Sequence, residues 1–191
     1  ELIAALGVPE DSVRVTNPDV GGGFGMKGMT YPEYFALSAA AMKLGRPVRW
    51  MSDRTEAMLS DNAGRDLVSE TELAFDDEYR MLAYRVTSLS NLGAYNSGFA
   101  QQIQTNLFAK VLMGVYDCQT VALAVKGVFT NTAPVDAYRG AGRPEAIFAL
   151  ERAMDDAARQ LGVDPWELRR KNFIPADAFP YRTATGELYD V

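Results

Sequence analysis

The sequence contains no histidine and a single cysteine, Cys118, in 191 residues. The first absence removes the Ser-His-Asp triad, the Cys-His pair and every histidine-based zinc site. The second excludes an internal disulfide and any iron–sulfur cluster held by this segment alone. It also makes a reducing compartment, and so the cytoplasm, the default expectation. No apolar run is long enough to cross a bilayer. A basic excess is lacking: 19 Lys and Arg face 25 Asp and Glu for a net charge of -6, and the arginines are scattered among the acids rather than striped. That argues against a nucleic-acid partner. No internal repeat is evident. The chain begins at Glu1, without an initiator methionine, inside what reads as a helix, so it is expected to be a piece of a larger protein. The chemistry left open is that of carboxylates, backbone amides, or a cofactor that performs the hard step.

What is present suits a folded α+β protein. Hydrophobic residues make up 48% and charged residues 23%, enough to bury a core. Residues 1–7 read as the end of a helix closed by Gly7. Val13 and Val15 suggest a short strand. Tyr31 to Leu44 is a helix with Thr30 as its cap and Pro32 in its first turn. Pro47 to Met51 reads as a strand, followed by a short helix capped by Ser52 or Asp53. Leu67 to Phe75 and Met81 to Leu92 alternate in polarity around the turn Asp76-Asp77-Glu78, which predicts an antiparallel hairpin. Phe99 to Met113 reads as a polar helix, Gln119 to Phe129 as a strand, and Pro144 to Leu161 as an amphipathic helix. Its apolar stripe is Ile147, Leu150, Met154, Ala157, Ala158 and Leu161. A last helix starts at Asp164-Pro165. From Phe173 onward the chain reads as an extended surface segment. The fold expected is a mixed or antiparallel sheet with packed helices. Residues 1–175 form the main domain and residues 176–191 an extended tail or the start of a next segment. Trp50 and Trp166 are expected as core or interface anchors, and Cys118 as a packed residue rather than a nucleophile.

Two glycine-dense loops stand out, Gly21-Gly22-Gly23-Phe24-Gly25-Met26-Lys27 and Ala137-Tyr138-Arg139-Gly140-Ala141-Gly142-Arg143-Pro144. The first offers a run of N–H groups almost free of side chains, able to form an anion nest or to pass close over a planar ligand. Its spacing is not that of a dinucleotide fingerprint or a P-loop. The second sets Arg139 and Arg143 around Gly140-Ala141-Gly142 at the start of a helix, a place that attracts anions. Taken singly, each loop is equally well explained without a ligand. The first is then a tight turn chosen for backbone shape. In the second, the arginines pair with Asp136, Glu145 or Glu151. Asp61, Asn62 and Arg65 form a polar connection, suited to lining a channel but given no such role by the sequence.

Taken together and in order, the loops resemble those of the molybdenum hydroxylases, the xanthine dehydrogenase and aldehyde oxidase family that includes carbon monoxide dehydrogenase-like large subunits. Val20 to Lys27 resembles the family's first cofactor loop, and Ala137 to Glu145 its second active-site loop. Between them, Leu44-Gly45-Arg46-Pro47-Val48-Arg49-Trp50 and Asp53-Arg54 with Glu56 follow the family's connecting pattern. The resemblance covers nearly the whole chain. It implies part of a molybdopterin-binding domain, with molybdenum on a pterin dithiolene, often as a cytosine dinucleotide. It also implies 2Fe-2S and FAD centres on partner domains or subunits, the remainder of the large subunit as a further partner, and a small-molecule substrate. On this resemblance Gly22, Gly23, Phe24 and Gly25 contact the cofactor from the first loop, and Arg139, Gly140 and Ala141 from the second. The catalytic glutamate of the family falls outside the segment, so no catalytic or metal-ligating residue is assigned and the piece alone is expected to be inactive.

Three positions depart from particular members. Purine-hydroxylating members carry glutamate where this chain has Gly28 and phenylalanine where it has Ala141. The copper-ligating cysteine of carbon monoxide dehydrogenase falls at Gly140. The substrate class left is an aldehyde or an N-heterocycle. The competing expectations are a non-catalytic binding module for an anionic ligand, and a structural module whose glycines serve packing.

Overall fold

The chain divides into two units, Glu1–Asp61 and Asn62–Val191. The computed structural model describes residues 1–190, so Val191, the end of the expected tail, lies outside the described residues.

The first unit is helical. Helix α1 (Leu2–Leu6) ends at Gly7, whose left-handed φ of 65° lets its N–H reach the Ile3 carbonyl. Helix α2 (Pro32–Leu44) starts with proline at its first position and ends at Gly45 in the same conformation. Thr30 does not cap it: its hydroxyl donates to the Glu1 carboxylate at 2.6 Å. Helix α3 (Arg54–Ser60) opens with a reciprocal capping box between Asp53 and Glu56. The strands expected at Val13–Val15 and Pro47–Met51 do not form. Residues 1–61 contain no strand, so these extended segments have no neighbour within the unit to complete a ladder. Trp50 is 42% exposed and is not a core residue.

The second unit is built on a mixed three-stranded sheet of order β1-β2-β3, with β1 at Leu67–Phe75, β2 at Met81–Gly93 and β3 at Val121–Phe129. Strands β1 and β2 form the expected antiparallel hairpin, with Leu73 opposite Tyr84 and a bulge near Ala74/Phe75. The Asp76 carboxylate shapes the turn by accepting from the N–H groups of Glu78 at 2.9 Å and Arg80 at 2.7 Å. Strand β3 pairs parallel to β2, with Leu123 opposite Val86. A parallel neighbour needs a crossover, and residues 94–120 supply it. There helix α4 (Ala100–Gln102) passes into a π-helical turn, Ile103–Leu107.

Helix α5 (Arg143–Leu161) buries Ala146, Leu150, Met154 and Ala158 at four-residue spacing, with Ala153 beside them. This face joins Tyr84, Val86, Phe108 and Leu112 in one core; each large side chain so buried contributes about 1.5–3 kcal/mol. Ile147 and Leu161, expected in the stripe, are each 37% exposed. Helix α6 (Pro165–Asn172) is capped by Asp164. Its Asn172 bonds the N–H of Met81 at 2.7 Å and the carbonyl of Tyr79 at 2.9 Å, locking the helix to the hairpin turn. Arg169 pairs with Glu151 at 2.7 Å and Asp155 at 2.9 Å. Trp166 is 58% exposed, edge-on to Phe173, rather than in the core. The tail is more than an extended surface segment. It contains a small hairpin, β4 (Tyr181–Arg182) with β5 (Leu188–Tyr189), and the Tyr181 hydroxyl donates to Asp117 at 2.8 Å. Cys118 is buried as expected, and burial pushes its thiol pKa up. Among the described residues no helix is long and apolar enough to cross a membrane.

Candidate cofactor site

The first loop lies wholly in the first unit. Gly22 has φ 116°, Gly25 φ 98° and Phe24 φ 53°, a run of left-handed backbone that L side chains resist. Phe24 occupies it at a cost of order 1–2 kcal/mol. Its ring folds back over Gly22, where a Cβ would sit 2.7 Å from the ring carbon Cε2. The loop closes onto a short 3-10 turn through Lys27 N–H to the Gly23 carbonyl at 3.3 Å and Gly28 N–H to the Gly25 carbonyl at 3.2 Å. The N–H groups of Gly21 through Gly25 donate to no acceptor among the described residues. No neighbouring atom lies within 4 Å of where a Cβ on Gly21 would be, and only Lys27 Cβ, at 3.9 Å, approaches Gly23.

Beside the loop is a cleft of ≈ 440 Å³ lined by Phe24, Tyr31, Tyr34 and Trp50 with Lys27 and Asp61. Burial, with Asp61 second, pushes the Tyr31 phenol up to about 12. The phenol donates to the Met26 carbonyl at 3.2 Å, which ties the start of α2 to the loop. Trp50 therefore lines a cleft, a role that composition did not suggest.

The second loop lies wholly in the second unit, between the Asp136 region and α5. Gly140 has φ 82° and Gly142 φ 86°. The N–H of Ala141 donates to the Tyr138 carbonyl at 2.7 Å and that of Arg143 to the Gly140 carbonyl at 3.0 Å. The N–H groups of Arg139, Gly140 and Gly142 find no acceptor among the described residues. A Cβ at Gly142 would lie 2.6 Å from the Ile103 carbonyl oxygen, so the π-helical turn is packed against the loop at a distance only glycine permits. Gln104 of that turn is buried with both amide atoms unpaired. The sequence marked it only as one of the residues that make the expected helix Phe99 to Met113 polar.

The expected pairing of the loop arginines with acids does not occur. Glu145 faces Arg65 at 3.2 Å, Glu151 is held by Arg169 and by the Tyr116 hydroxyl at 2.8 Å, and buried Asp136 accepts from Ser97 and from the Ala137 N–H. Arg139 and Arg143 have no carboxylate within salt-bridge distance among the described residues. Gly22, Gly23, Phe24 and Gly25 thus carry open N–H groups on the first loop, and Arg139 and Gly140 carry them on the second, where the Ala141 N–H is already bonded within the loop.

The molybdopterin cofactor-binding domain family matches residues 1–173. The chain belongs to that family, within the xanthine dehydrogenase and carbon monoxide dehydrogenase large subunits. It is 40% identical over 187 residues to the carbon monoxide dehydrogenase large chain of Hydrogenophaga pseudoflava, covering 96% of this chain and 23% of that one. It is 38% identical over 176 residues to the 6-hydroxypseudooxynicotine dehydrogenase complex subunit gamma of Paenarthrobacter nicotinovorans, covering 92% of this chain and 22% of that subunit. The fold is similar to that of quinoline 2-oxidoreductase from Pseudomonas putida 86, with TM-score 0.92 and 37% identity over 99% of this chain and 24% of that one. The molybdopterin-domain chain therefore spans about a quarter of the length of its relatives.

Proposed function

We propose that this chain is the part of a molybdenum hydroxylase large subunit that holds the pterin cofactor mainly through its backbone. The observation that carries this reading is the run of unpaired N–H groups from Gly21 to Gly25. Such a donor set fits an anionic, acceptor-rich group that leaves no room for side chains. A glycine chosen only for packing shows a crowded Cβ position; Gly142 does, whereas Gly21 and Gly23 do not. The purely structural alternative is thus weaker for the first loop than for the second.

On this reading Gly22, Gly23, Phe24 and Gly25 donate from the first loop, and Arg139, Gly140 and Ala141 contribute from the second. Residues 1–175 are the cofactor-binding portion. Bound there, the group supplies oxidative hydroxylation with oxygen taken from water, electrons leaving through 2Fe-2S and FAD centres on partner domains or subunits. The chain's own residues position, and they neither ligate metal nor transfer protons. Glu145, engaged by Arg65, is not the base. The substrate is an aldehyde or an N-heterocycle. Gly140 and Ala141 leave the second loop without the side chains that a copper centre or purine stacking needs, and relatives are named for nicotine and quinoline substrates.

The test is the molybdenum and pterin content of the protein purified from its native host. Near-stoichiometric amounts of both, with hydroxylation of an aldehyde or an N-heterocycle panel, are expected. Protein free of both, from cells that load a related enzyme, sinks the proposal.

A further inference from the structure

The connection Ala63-Gly64-Arg65 is joined to the second loop and to the segment that leads into it. The Ala63 N–H donates to the Pro134 carbonyl at 2.7 Å, and the Asp136 N–H donates to the Ala63 carbonyl at 2.9 Å. A Cβ on Gly64 would stand 3.0 Å from Tyr138 Cβ, so glycine lets Tyr138 lie close. Arg65 then spans the loop. Its Nη2 donates to the Arg139 carbonyl at 2.6 Å, its guanidinium lies 5.1 Å from the centre of the Tyr138 ring, and its Nε is 3.2 Å from Glu145 Oε1. The Glu145 side chain is 5% exposed, and neither carboxylate oxygen has a hydrogen-bond donor. The Glu145 contact is therefore one of charge rather than alignment. Arg65 is its only cation within salt-bridge distance among the described residues.

Peptide planarity turns this anchor into a direction. The Arg139–Gly140 bond is trans, so the Gly140 N–H points opposite to the Arg139 carbonyl. With that carbonyl drawn onto Arg65, the Gly140 N–H faces away from the clamp, and it is one of the unpaired donors.

We propose that Arg65, with Glu145 as its counter-ion, is the positioning residue of the second loop, and that it aims the Gly140 N–H at the bound ligand. The inference rests on the pterin reading above. A lysine is a point charge without the fork. It restores the contact with Glu145 but not the bond to Arg139 together with the ring contact.

The experiment compares wild type, R65K and R65M, each purified from the native host. Hydrogen exchange is followed across residues 137–142, and the Mo(V) EPR spectrum is recorded on dithionite-reduced protein. Both variants are expected to speed exchange in the loop at least ~10-fold while β2 stays protected. Both are expected to shift the EPR spectrum at retained molybdenum and pterin content, with thermal stability recovered in R65K alone. Loop exchange and an EPR spectrum like those of wild type in R65K overturn the proposal, even if R65M fails to fold. Wild-type protein without pterin removes the pterin reading separately, and loop exchange still decides whether Arg65 positions the loop.

Discussion

The first glycine loop stands in a unit where no residue is fully buried, closed by hydrogen bonds within itself and by Tyr31. The second is wedged between a π-helical turn, a half-buried salt bridge and the start of α5, in a unit with a continuous core. Their compositions are alike, yet their glycines answer different demands. In the first loop the missing side chains leave backbone donors open. At Gly142 in the second, the missing side chain lets two backbones touch. The comparison teaches that a glycine-rich motif has to be interrogated position by position, by asking what a Cβ would meet.

The largest expected effect tests that contrast directly. Gly142→Ala combines a φ of 86° with a Cβ 2.6 Å from the Ile103 carbonyl oxygen. It should destabilise the protein by about 2–4 kcal/mol. Gly21→Ala, with open space around it, should cost less than about 1 kcal/mol. Thermal melts of the two variants that coincide would erase the distinction between the loops.

Next comes ligand retention. Gly23→Val puts a branched side chain over the unpaired amides, where only Lys27 Cβ is near, at 3.9 Å. Its melting temperature should barely move, while the pterin retained after gel filtration drops ~10-fold, a loss of about 1.4 kcal/mol in binding. Full retention of pterin would mean that the first loop does not face the cofactor.

Alkaline pH should separate the units by another route. Burial raises the phenols of Tyr84 and Tyr116 well above the usual tyrosine value, and that of Tyr181 to about 12, all in the second unit. Only Tyr31, at about 12, is so shifted in the first. The fold favours the protonated phenol. The associated stability is therefore complete below the ordinary value of about 10 and is lost as pH rises through the folded values. The second unit should loosen first above about pH 10. Fluorescence of Trp166 in a W50F variant, set against Trp50 in a W166F variant, reports each unit in turn. Loss of the Trp50 signal first would reverse the assignment.

The smallest effect sharpens the picture inside the second core. The Tyr84 hydroxyl is buried without a partner, so Tyr84→Phe should be neutral or stabilising by up to about 1 kcal/mol. The Tyr116 hydroxyl bonds Glu151 at 2.8 Å, so Tyr116→Phe should cost about 1 kcal/mol. Urea denaturation of the pair checks the difference in sign.

The elements legible in the sequence were those whose causes are local. The cap of α3, which the structure places at Asp53 of the two residues expected, the prolines opening α2 and α5, the glycines closing α1, α2 and α5, and the β1–β2 alternation each depend on residues a few positions apart. The two isolated strands misled because alternation at Val13–Val15 and Pro47–Met51 says nothing about a partner, and a strand without one has no ladder. Of the two roles expected for Trp50 and Trp166, their exposure removes the core and leaves the interface, because bulk and hydrophobicity do not say which surface a ring covers.

The same division holds for the site. The order of the two loops and their freedom from side chains belong to the sequence, because backbone permissiveness is a property of glycine itself. So does the family, through motifs that stand in the same order. Which glycine is crowded, which arginine holds an acid and which carbonyl Arg65 turns were decided only in three dimensions. Those outcomes depend on segments far apart in the chain, such as Arg65 with Arg139 and Gly142 with Ile103. No local pattern encodes such meetings, since they are set by how helices and strands fill a common core.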